Sequence, residues 1–582
     1  MCGIFCHIFQ NEKNDKQTSH EWNICRDFIT ARGPDKLSER FESLSSNWFG
    51  HFVSSVLWMQ GSNVIEQPAI DSTGNILLWN GDIFSGKLAQ GDSCDTNALL
   101  NALQSSLNVA SVFERIQGPY SFIYFQKSTK LLYFGRDIIG RHSLLLRLTN
   151  DENVLTLTSV ASKELDRIIE VPAIGIFALN LSHSRINLAC YPWREPDLRF
   201  TDIIEALEAN LGVDIDIKET VLKYDTSTCL HLHPNIDDLE YLENSPFFDN
   251  PYKTLEYLLE NKLIQERVDN LSQLLHAAVE VRINKQPKFC KTCIASALND
   301  ESIVCDHAKI GILFSGGLDS AILTLIADKY VDQHEPIDLI NVAFEKSINT
   351  SKRNNEAEDR YDVPDRKTGK QTFIELTNLC SKRKWNFVEV NISQAELQKY
   401  RSSRICNLLY PLCTILDESL GCAVWFASRA KGTVDSEKYE SPCRILLLGM
   451  GADELFGGYM RHRTILRHKG WDALSQELNI EVARISERNL GRDDRIVSDH
   501  GRQSRLPYLD ENVVEYVQQL KPWERCYPTD KMPSGLGDKL LLRLVACKLG
   551  FRNTANFPKR AFQFGSRIAN GKENAKNISD RL

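Results

Sequence analysis

Two short stretches of this chain hold residues whose types and spacing could act on a bond. Positions 311–320 read GILFSGGLDS. Ser315, Gly316 and Gly317 leave an apolar run with almost no side-chain bulk, so backbone amides can approach an anion. The helical pattern that follows points its positive end at the same spot. A carboxylate at Asp319 makes sense beside a phosphate when it holds Mg2+ against it. The run lacks the lysine of GxxxxGK[ST] and is no Walker loop. A tight strand–helix turn explains the glycines but leaves Asp319 without a role. The second stretch, MCGIFCHIF, opens the chain. Removal of the methionine leaves Cys2 with a free α-amine of pKa near ~8 beside a thiol near ~8.5, so one residue supplies nucleophile and base. A third group, Cys290, Cys293, Cys305 and His307, offers enough ligands for one zinc ion. Its second pair lacks the customary spacing, and the reading adopted is an inserted loop with unpaired thiols.

The elements that must position these residues change character along the 582-residue chain, which is long enough for two or three cores. Residues 1–194 are dense in short β-like runs such as NILLWNGDIF, YSFIYF and VLTLTS, with helical patterns near 20–30 and 95–107. They predict an α+β domain of layered antiparallel sheets. Residues 195–265 are acidic and aromatic without a clear period, and read as a linker or a surface-wrapping segment. From 266 to 582 strand and helix alternate, with KIGILF, DLINVAF, NFVEVNI and CRILLLG as strands. That predicts an α/β domain with a doubly wound parallel sheet, whose substrates lie beyond the carboxyl ends of the strands. Both glycine-rich turns, at 315–317 and 449–451, follow strands at that edge. A net charge of −8 gives no electrostatic reason for a nucleic-acid or anionic-membrane partner, and no apolar run reaches spanning length. Sixteen scattered cysteines behind a start without secretory character are expected to be reduced thiols in the cytoplasm, or also the nucleus.

With these residues in place, two resemblances become specific. SGGLDS resembles the pyrophosphate-binding loop of the PP-loop ATP pyrophosphatases, and LLLGMGADELFGGYMRHR resembles the later motif of one branch, the asparagine synthetases. The resemblance implies ATP contacts at Phe314, Ser315, Gly316, Gly317, Asp319, Ser320, Val342 and Gly449, with Mg2+ shared by Asp319 and Asp453. Upstream, MCGIF is followed by RGPD (Arg32–Asp35), NGDIF, CDTNALL, QGPYSFIYF and GRDIIGRHSL. In this order they resemble the class II glutamine amidotransferases, an N-terminal-nucleophile fold with two antiparallel sheets between helices (αββα). That resemblance implies Cys2 as nucleophile, Asn80 and the Gly81 amide as an oxyanion hole, and Asp82 and Asp95 as glutamine-binding residues. Similarity to the asparagine synthetase family continues through VPDRKTG, LDESLGCAVWFASR, GRQSRLPYLDENVV, GDKLLLRL and PKRAFQFGSRIA, sparing only the acidic linker and the 287–306 insertion. The layout implies glutamine-dependent amidation. Ammonia freed at Cys2 through a thioester would meet an acyl-adenylate of aspartate, or another carboxylate, formed with ATP. Free ammonia is mostly protonated at neutral pH, so a sheltered passage helps it arrive as a nucleophile.

Three departures from that family have chemical consequences. No arginine lies between Arg40 and Arg115, where the family places one for the glutamine α-carboxylate; HFVSSVLWM offers Ser54 and Ser55 instead, or Arg32 from nearby. Met450 replaces the glutamate of the G-E-G turn. The family's late lysine, which steadies charge on the adenylate, falls at or near Ala561, beside Lys559 and Arg560. The alternatives are therefore an ATP-binding interaction protein without synthetase chemistry, or a ligase for a different acid. Among residues with plainer readings, VPDRKTG is expected as a loop over the nucleotide and Ser393 with Glu396 as a capping box. His462 and His500 read as helix-end or surface partners, and Asp493, Asp494, Arg495 and Arg505 as a buried ion-pair set.

Overall fold

Alternating apolar residues in the first 190 positions build two sheets that share one core. The computed structural model describes residues 2–10, 20–61, 63–89, 94–149, 153–222, 241–299, 304–346, 360–569 and 573–582. The first sheet runs Ile169–Glu170, Leu145–Thr149, Val154–Thr158, Gly3–Phe9, Phe49–Val56, Lys36–Ser43, all antiparallel. The second runs Ile215–Ile217, Leu188–Pro192, Gly175–Asn180, Leu131–Arg136, Tyr120–Gln126, Ile76–Gly81, Ala69–Ile70, antiparallel except for its first pair. Period-two alternation sends Ile4, Cys6 and Ile8 of one sheet against Ile76, Leu78, Ile123 and Phe125 of the other. The opposite faces take helices: Trp22, Cys25 and Ile29 of His20–Arg32 pack with Phe5 and Val53, and Leu99 and Leu103 of Asp95–Ser105 pack with Leu77, Trp79 and Phe122. The order of layers is helix, sheet, sheet, helix, as expected.

The third sheet holds five parallel strands in the order Trp385–Ile392, Ile337–Phe344, Ile310–Leu313, Ile445–Leu447, Gln503–Arg505, with the antiparallel hairpin Lys431–Val434 and Glu437–Glu440 at one edge. Chain order runs outward in both directions from Ile310–Leu313, so the crevice between that strand and Ile445–Leu447 is the topological switch point where such sheets bind ligands. Ser315–Gly317 and Gly449 both emerge there.

The acidic segment 195–265 is more ordered than its composition predicts. Asp197 caps the helix Leu198–Leu211 through Phe200 N, at 2.8 Å, and Gly212 ends it with φ +66°. Phe200, Ile204, Leu207 and Leu211 form its buried stripe on the first core. Ile215–Ile217 then joins the second sheet in parallel. Residues 223–240, which carry much of the acidic run, lie outside the described residues.

Candidate active site

Strand Gly3–Phe9 begins one residue after Cys2, so the sheet itself presents that residue at its edge. Cys2 N donates to Asn80 Oδ1 at 2.8 Å, and Asn80 Nδ2 donates to Ser121 Oγ at 3.2 Å. Ser121 Oγ gives its own proton to Ser143 O, which fixes the orientation of the Asn80 amide. The side chain expected to help an oxyanion hole therefore holds the Cys2 nitrogen, with its NH2 group turned to Ser121. Burial pushes the Cys2 thiol up; a backbone N–H from Leu57 and the Arg32 charge oppose that. A cavity of about 50 Å³ opens beside it, lined by Cys2, Gln67, Gly81, Asp82, Asp95 and Gln503 among others.

The two carboxylates of this cavity sit in different electrostatic states. Asp82 is fully buried, which disfavours its charge, yet Arg505, His142 and the Gln60 Nε2 hydrogen bond at 2.6 Å together oppose that and leave its pKa lowered. Gln503 Nε2 donates to its other oxygen at 2.6 Å. Asp95 is pushed up to about 7 by burial and then by the Asp82 charge, although Ile83 N–H donates to it at 2.5 Å. An ammonium group suits this pair. A carboxylate does not, because none of the described residues lining the cavity is basic. Ser54 and Ser55 do not substitute: Ser54 is fully buried in its strand, and Ser55 Oγ donates to Gly33 O. Arg32 is committed elsewhere, with Nε on Cys2 O at 3.3 Å and a terminal nitrogen on Asp494 at 2.8 Å.

At the switch point, Gly316 takes φ +75°, and a Cβ there would stand 2.5 Å from Gly369 Cα. A Cβ on Gly449 would stand 2.9 Å from Asp319 Cβ, so the two turns close on each other only because that position is bare. No side chain caps the helix Leu318–Ala327, whose first turn carries Asp319. Phe314 and Val342 are core residues flanking the turn, and Ser320 Oγ bonds back to Gly317 O at 3.1 Å. Asp319 and Asp453 converge on one ammonium. Lys539 Nζ lies 2.7 and 2.9 Å from the Asp319 oxygens and 2.7 Å from Asp453 Oδ1, while Lys559 Nζ reaches Asp453 Oδ2 at 3.2 Å. Burial and the Asp453 charge raise the Asp319 pKa against Lys539 and the weaker pull of Lys559; burial acts on Asp453 too, but both lysines, each bonded to it, hold it low. Both carboxylates keep about a quarter of their surface, 27% and 26%, so the cluster opens outward, whereas Lys539 is sealed at 3%. Two carboxylates aimed at one cation, beside bare backbone, fit a magnesium ion carried by a polyphosphate.

Lys539 was invisible as a site residue in the sequence. It precedes an apolar helix like any flanking lysine, and only its left-handed φ of +55° and its reach across 220 positions to Asp319 single it out. VPDRKTG is not a loop. Pro364 opens the helix Pro364–Leu379, and Arg366 is buried on Asn341, Glu389 and Asn391. Its neighbour Asp365, pushed up to about 7 by burial against Arg560, leaves Oδ2 without a hydrogen-bond partner among the described residues. Ser393 caps Glu396 N at 3.2 Å, but Glu396 turns to Arg429 instead of completing a box. The buried ion-pair set exists and joins the two halves: Asp494 takes Arg32 and His142, Arg495 takes Glu170, and Arg505 approaches Asp82 at 3.6 Å. His462 accepts Tyr459 N–H at a helix start, and burial lowers its pKa to about 4; His500 is half-buried just past the helix Gly491–Ser498, with Nε2 on Trp425 O.

The family profile of asparagine synthase matches residues 466–578. Asparagine synthetase domain-containing protein 1 of Bos taurus is 37% identical over 634 aligned residues, which cover 100% of this chain and 98% of that protein. The chain belongs to the asparagine synthetase domain-containing protein 1 family. The putative asparagine synthetase (glutamine-hydrolyzing) 1 of Methanocaldococcus jannaschii is 28% identical over 50% of this chain and 47% of its own length. Glutamine phosphoribosylpyrophosphate amidotransferase from B. subtilis aligns with 62% of this chain and 70% of its own at 12% identity and a TM-score of 0.25, too low to bear on the fold. The late basic pair divides between two carboxylates. Lys559 faces Asp453, and Arg560 stands beside Asp365. Met450 packs, half-buried, against the core at the turn before Asp453. Among the described residues no helix is long and apolar enough to cross a membrane.

Proposed function

We propose that this chain is an ATP-dependent carbon–nitrogen ligase that draws its nitrogen from glutamine. The convergence of Asp319 and Asp453 on the Lys539 ammonium, at the mouth of the bare Ser315–Gly317 turn, carries the reading. Mg2+ bound between these carboxylates would supply charge neutralisation for the β- and γ-phosphates of ATP. Backbone N–H groups of the turn bind the departing pyrophosphate. A substrate carboxylate oxygen attacks the α-phosphorus, the α–β bridge bond breaks, and pyrophosphate leaves with an acyl-adenylate formed. Lys559 stands where it can face the charge that grows on the α-phosphate. Ammonia then attacks the acyl carbon, loses a proton, and displaces AMP.

In the amino-terminal half, Cys2 Sγ attacks the glutamine amide carbon, with the Cys2 α-amine taking the thiol proton. Asn80 Oδ1 orients that amine, and Asp82 with Asp95 receives the glutamine ammonium group. The α-amine returns that proton to the amide nitrogen of the tetrahedral adduct, the C–N bond breaks to give ammonia and a thioester, and water hydrolyses the thioester to release glutamate. Aspartate is the acid expected for this family. Met450 favours a second reading, in which the same chemistry serves a less polar acid, because a thioether cannot pair with the α-ammonium of aspartate.

Pyrophosphate release from MgATP tests both across a panel of carboxylic acids. Release that requires one acid and falls at least a hundredfold in Asp319→Ala supports the ligase and identifies its substrate. ATP binding without release for any acid overturns it in favour of a nucleotide-binding interaction protein.

A further inference from the structure

Outside both sets of candidate catalytic groups, the loop between the helix Lys262–Asn284 and the strand Ile310–Leu313 brings three thiols and one imidazole together. Cys290, Cys293, Cys305 and His307 place four potential ligand atoms within 4.8 Å of one another. His307 Nδ1 lies 3.4 Å from Cys293 Sγ, 3.7 Å from Cys290 Sγ and 3.9 Å from Cys305 Sγ. Tetrahedral zinc with Zn–S of about 2.3 Å and Zn–N of about 2.0 Å has S···N edges near ~3.5 Å and S···S edges near ~3.8 Å. The observed spacings match the first. The thiols are unpaired, as expected of the insertion, and they gather round one imidazole. A C-x-H pair in extended chain can place both ligands on one side of a CxxC turn, so the wider spacing customary in the second pair is not required.

We infer that Cys290, Cys293, Cys305 and His307 form a structural zinc site that pins this inserted loop to the parallel sheet. The surroundings are those of a built site. Cys290 is fully buried, its N–H donates to Cys305 Sγ at 3.3 Å, and Thr292 Oγ1 lies 3.0 Å from Cys290 Sγ. Such N–H and O–H contacts spread the charge of metal-bound thiolates and hold each sulfur in orientation. The helix Ile294–Leu298 begins directly after Cys293, so the turn that carries the first two ligands is set by backbone bonding as well. Four protein ligands fill a tetrahedron and leave no open position, which makes the role structural; three sulfurs and one nitrogen select zinc over magnesium or calcium. The loop is anchored where it can transmit rigidity. Lys291 N donates to Pro442 O at 2.8 Å, and Lys291 Nζ donates to His500 O at 2.9 Å. On the far side of the same helix end, Lys285 Nζ donates to the carbonyl of Ile83, next to the acidic cavity. Closing the loop with metal therefore braces the contact between the two halves. This inference stands whether or not the chain is a ligase.

The full chain, purified without added metal, is analysed for bound metal by mass spectrometry. One zinc per chain is expected, falling at least fivefold in Cys293→Ser and in His307→Ala. As a measurement independent of variant folding, thiol alkylation of the wild-type protein is followed with and without a zinc chelator. Three cysteines should be protected until the chelator is added, and cobalt(II) supplied to the stripped protein should give the charge-transfer and visible bands of a tetrahedral thiolate site. Alkylation at equal rates with and without chelator, or a disulfide between any two of these cysteines in the freshly purified protein, overturns the assignment.

Discussion

Replacing Lys539 with methionine removes the cation on which Asp319 and Asp453 converge while keeping most of the side-chain volume. The ammonium is sealed at 3% exposure and touches both carboxylates within 2.9 Å, so its loss leaves buried negative charge with one remaining partner, Lys559 on Asp453 at 3.2 Å. Breaking one side of a buried pair costs about 3–5 kcal/mol; with Lys559 in place and both acids a quarter exposed, about 3 kcal/mol is expected. Asp319 already has a raised pKa, and removing Lys539 raises it further. A carboxyl that binds its proton more tightly when folded adds stability as pH falls, so the deficit should shrink below neutrality. Magnesium without nucleotide then becomes diagnostic. An ion present at a hundred times its dissociation constant contributes about 2.7 kcal/mol, enough to restore most of the loss in Lys539→Met. The wild-type protein should gain less, because Lys539 already stands between the carboxylates. Thermal unfolding in EDTA and in magnesium, with both proteins at two pH values, reads all of this. A variant as stable as wild type in EDTA, or an equal magnesium shift in both, refutes the shared cation site.

Asp95, pushed up to about 7 by burial and then by Asp82, gains its charge as pH rises through that value. The KM for glutamine should fall over the same range, and Asp95→Asn should raise KM and flatten the profile of glutaminase activity. Gln503 reaches Asp82 from the parallel sheet at 2.6 Å; losing one hydrogen bond to a buried charge is worth about 1.5–3 kcal/mol, so Gln503→Ala should raise the glutamine KM by roughly 10- to 100-fold while leaving the KM for ATP unchanged.

What the sequence made legible is local and periodic. KIGILF followed by small residues had to be a strand entering a turn, and the alternation in ILLWNG and SFIYF had to be a sheet with two different faces. The helix Leu198–Leu211 was missed for the opposite reason. Its buried stripe of Phe200, Ile204, Leu207 and Leu211 is present in the sequence but diluted by the acidic residues that follow it. Pro364 misled because proline marks loops and first helical turns equally, and only the burial of Arg366 against Asn341 and Glu389 decides between them. Lys539 and the partners of Asp82 were illegible for a deeper reason. Gln503 lies 421 positions from Asp82 and Lys539 lies 220 from Asp319, and pairing over such distances leaves no periodic trace.

Those long-range partners share a location that explains why one chain carries both sites. Strand Gln503–Arg505 pairs with Ile445–Leu447, the strand that leads into Gly449 and Asp453. On one side its Gln503 and Arg505 side chains hold Asp82 in the cysteine cavity. A few residues on, Tyr508 Oη donates to the carbonyl of Asp319 at 3.0 Å. One short strand and the turn that follows it thus touch the Asp82 carboxylate and the backbone of Asp319. Around it the halves are joined by buried charge: Arg32 with Asp494, Arg444 with Asp35, Arg141 with Glu511 and Arg495 with Glu170. Buried pairs of this kind contribute little net stability over apolar packing, but each is expensive to break on one side. An interface built from them tolerates few alternative alignments. The two halves are consequently fixed at one relative geometry, as the proposed passage of ammonia from one half to the other would require.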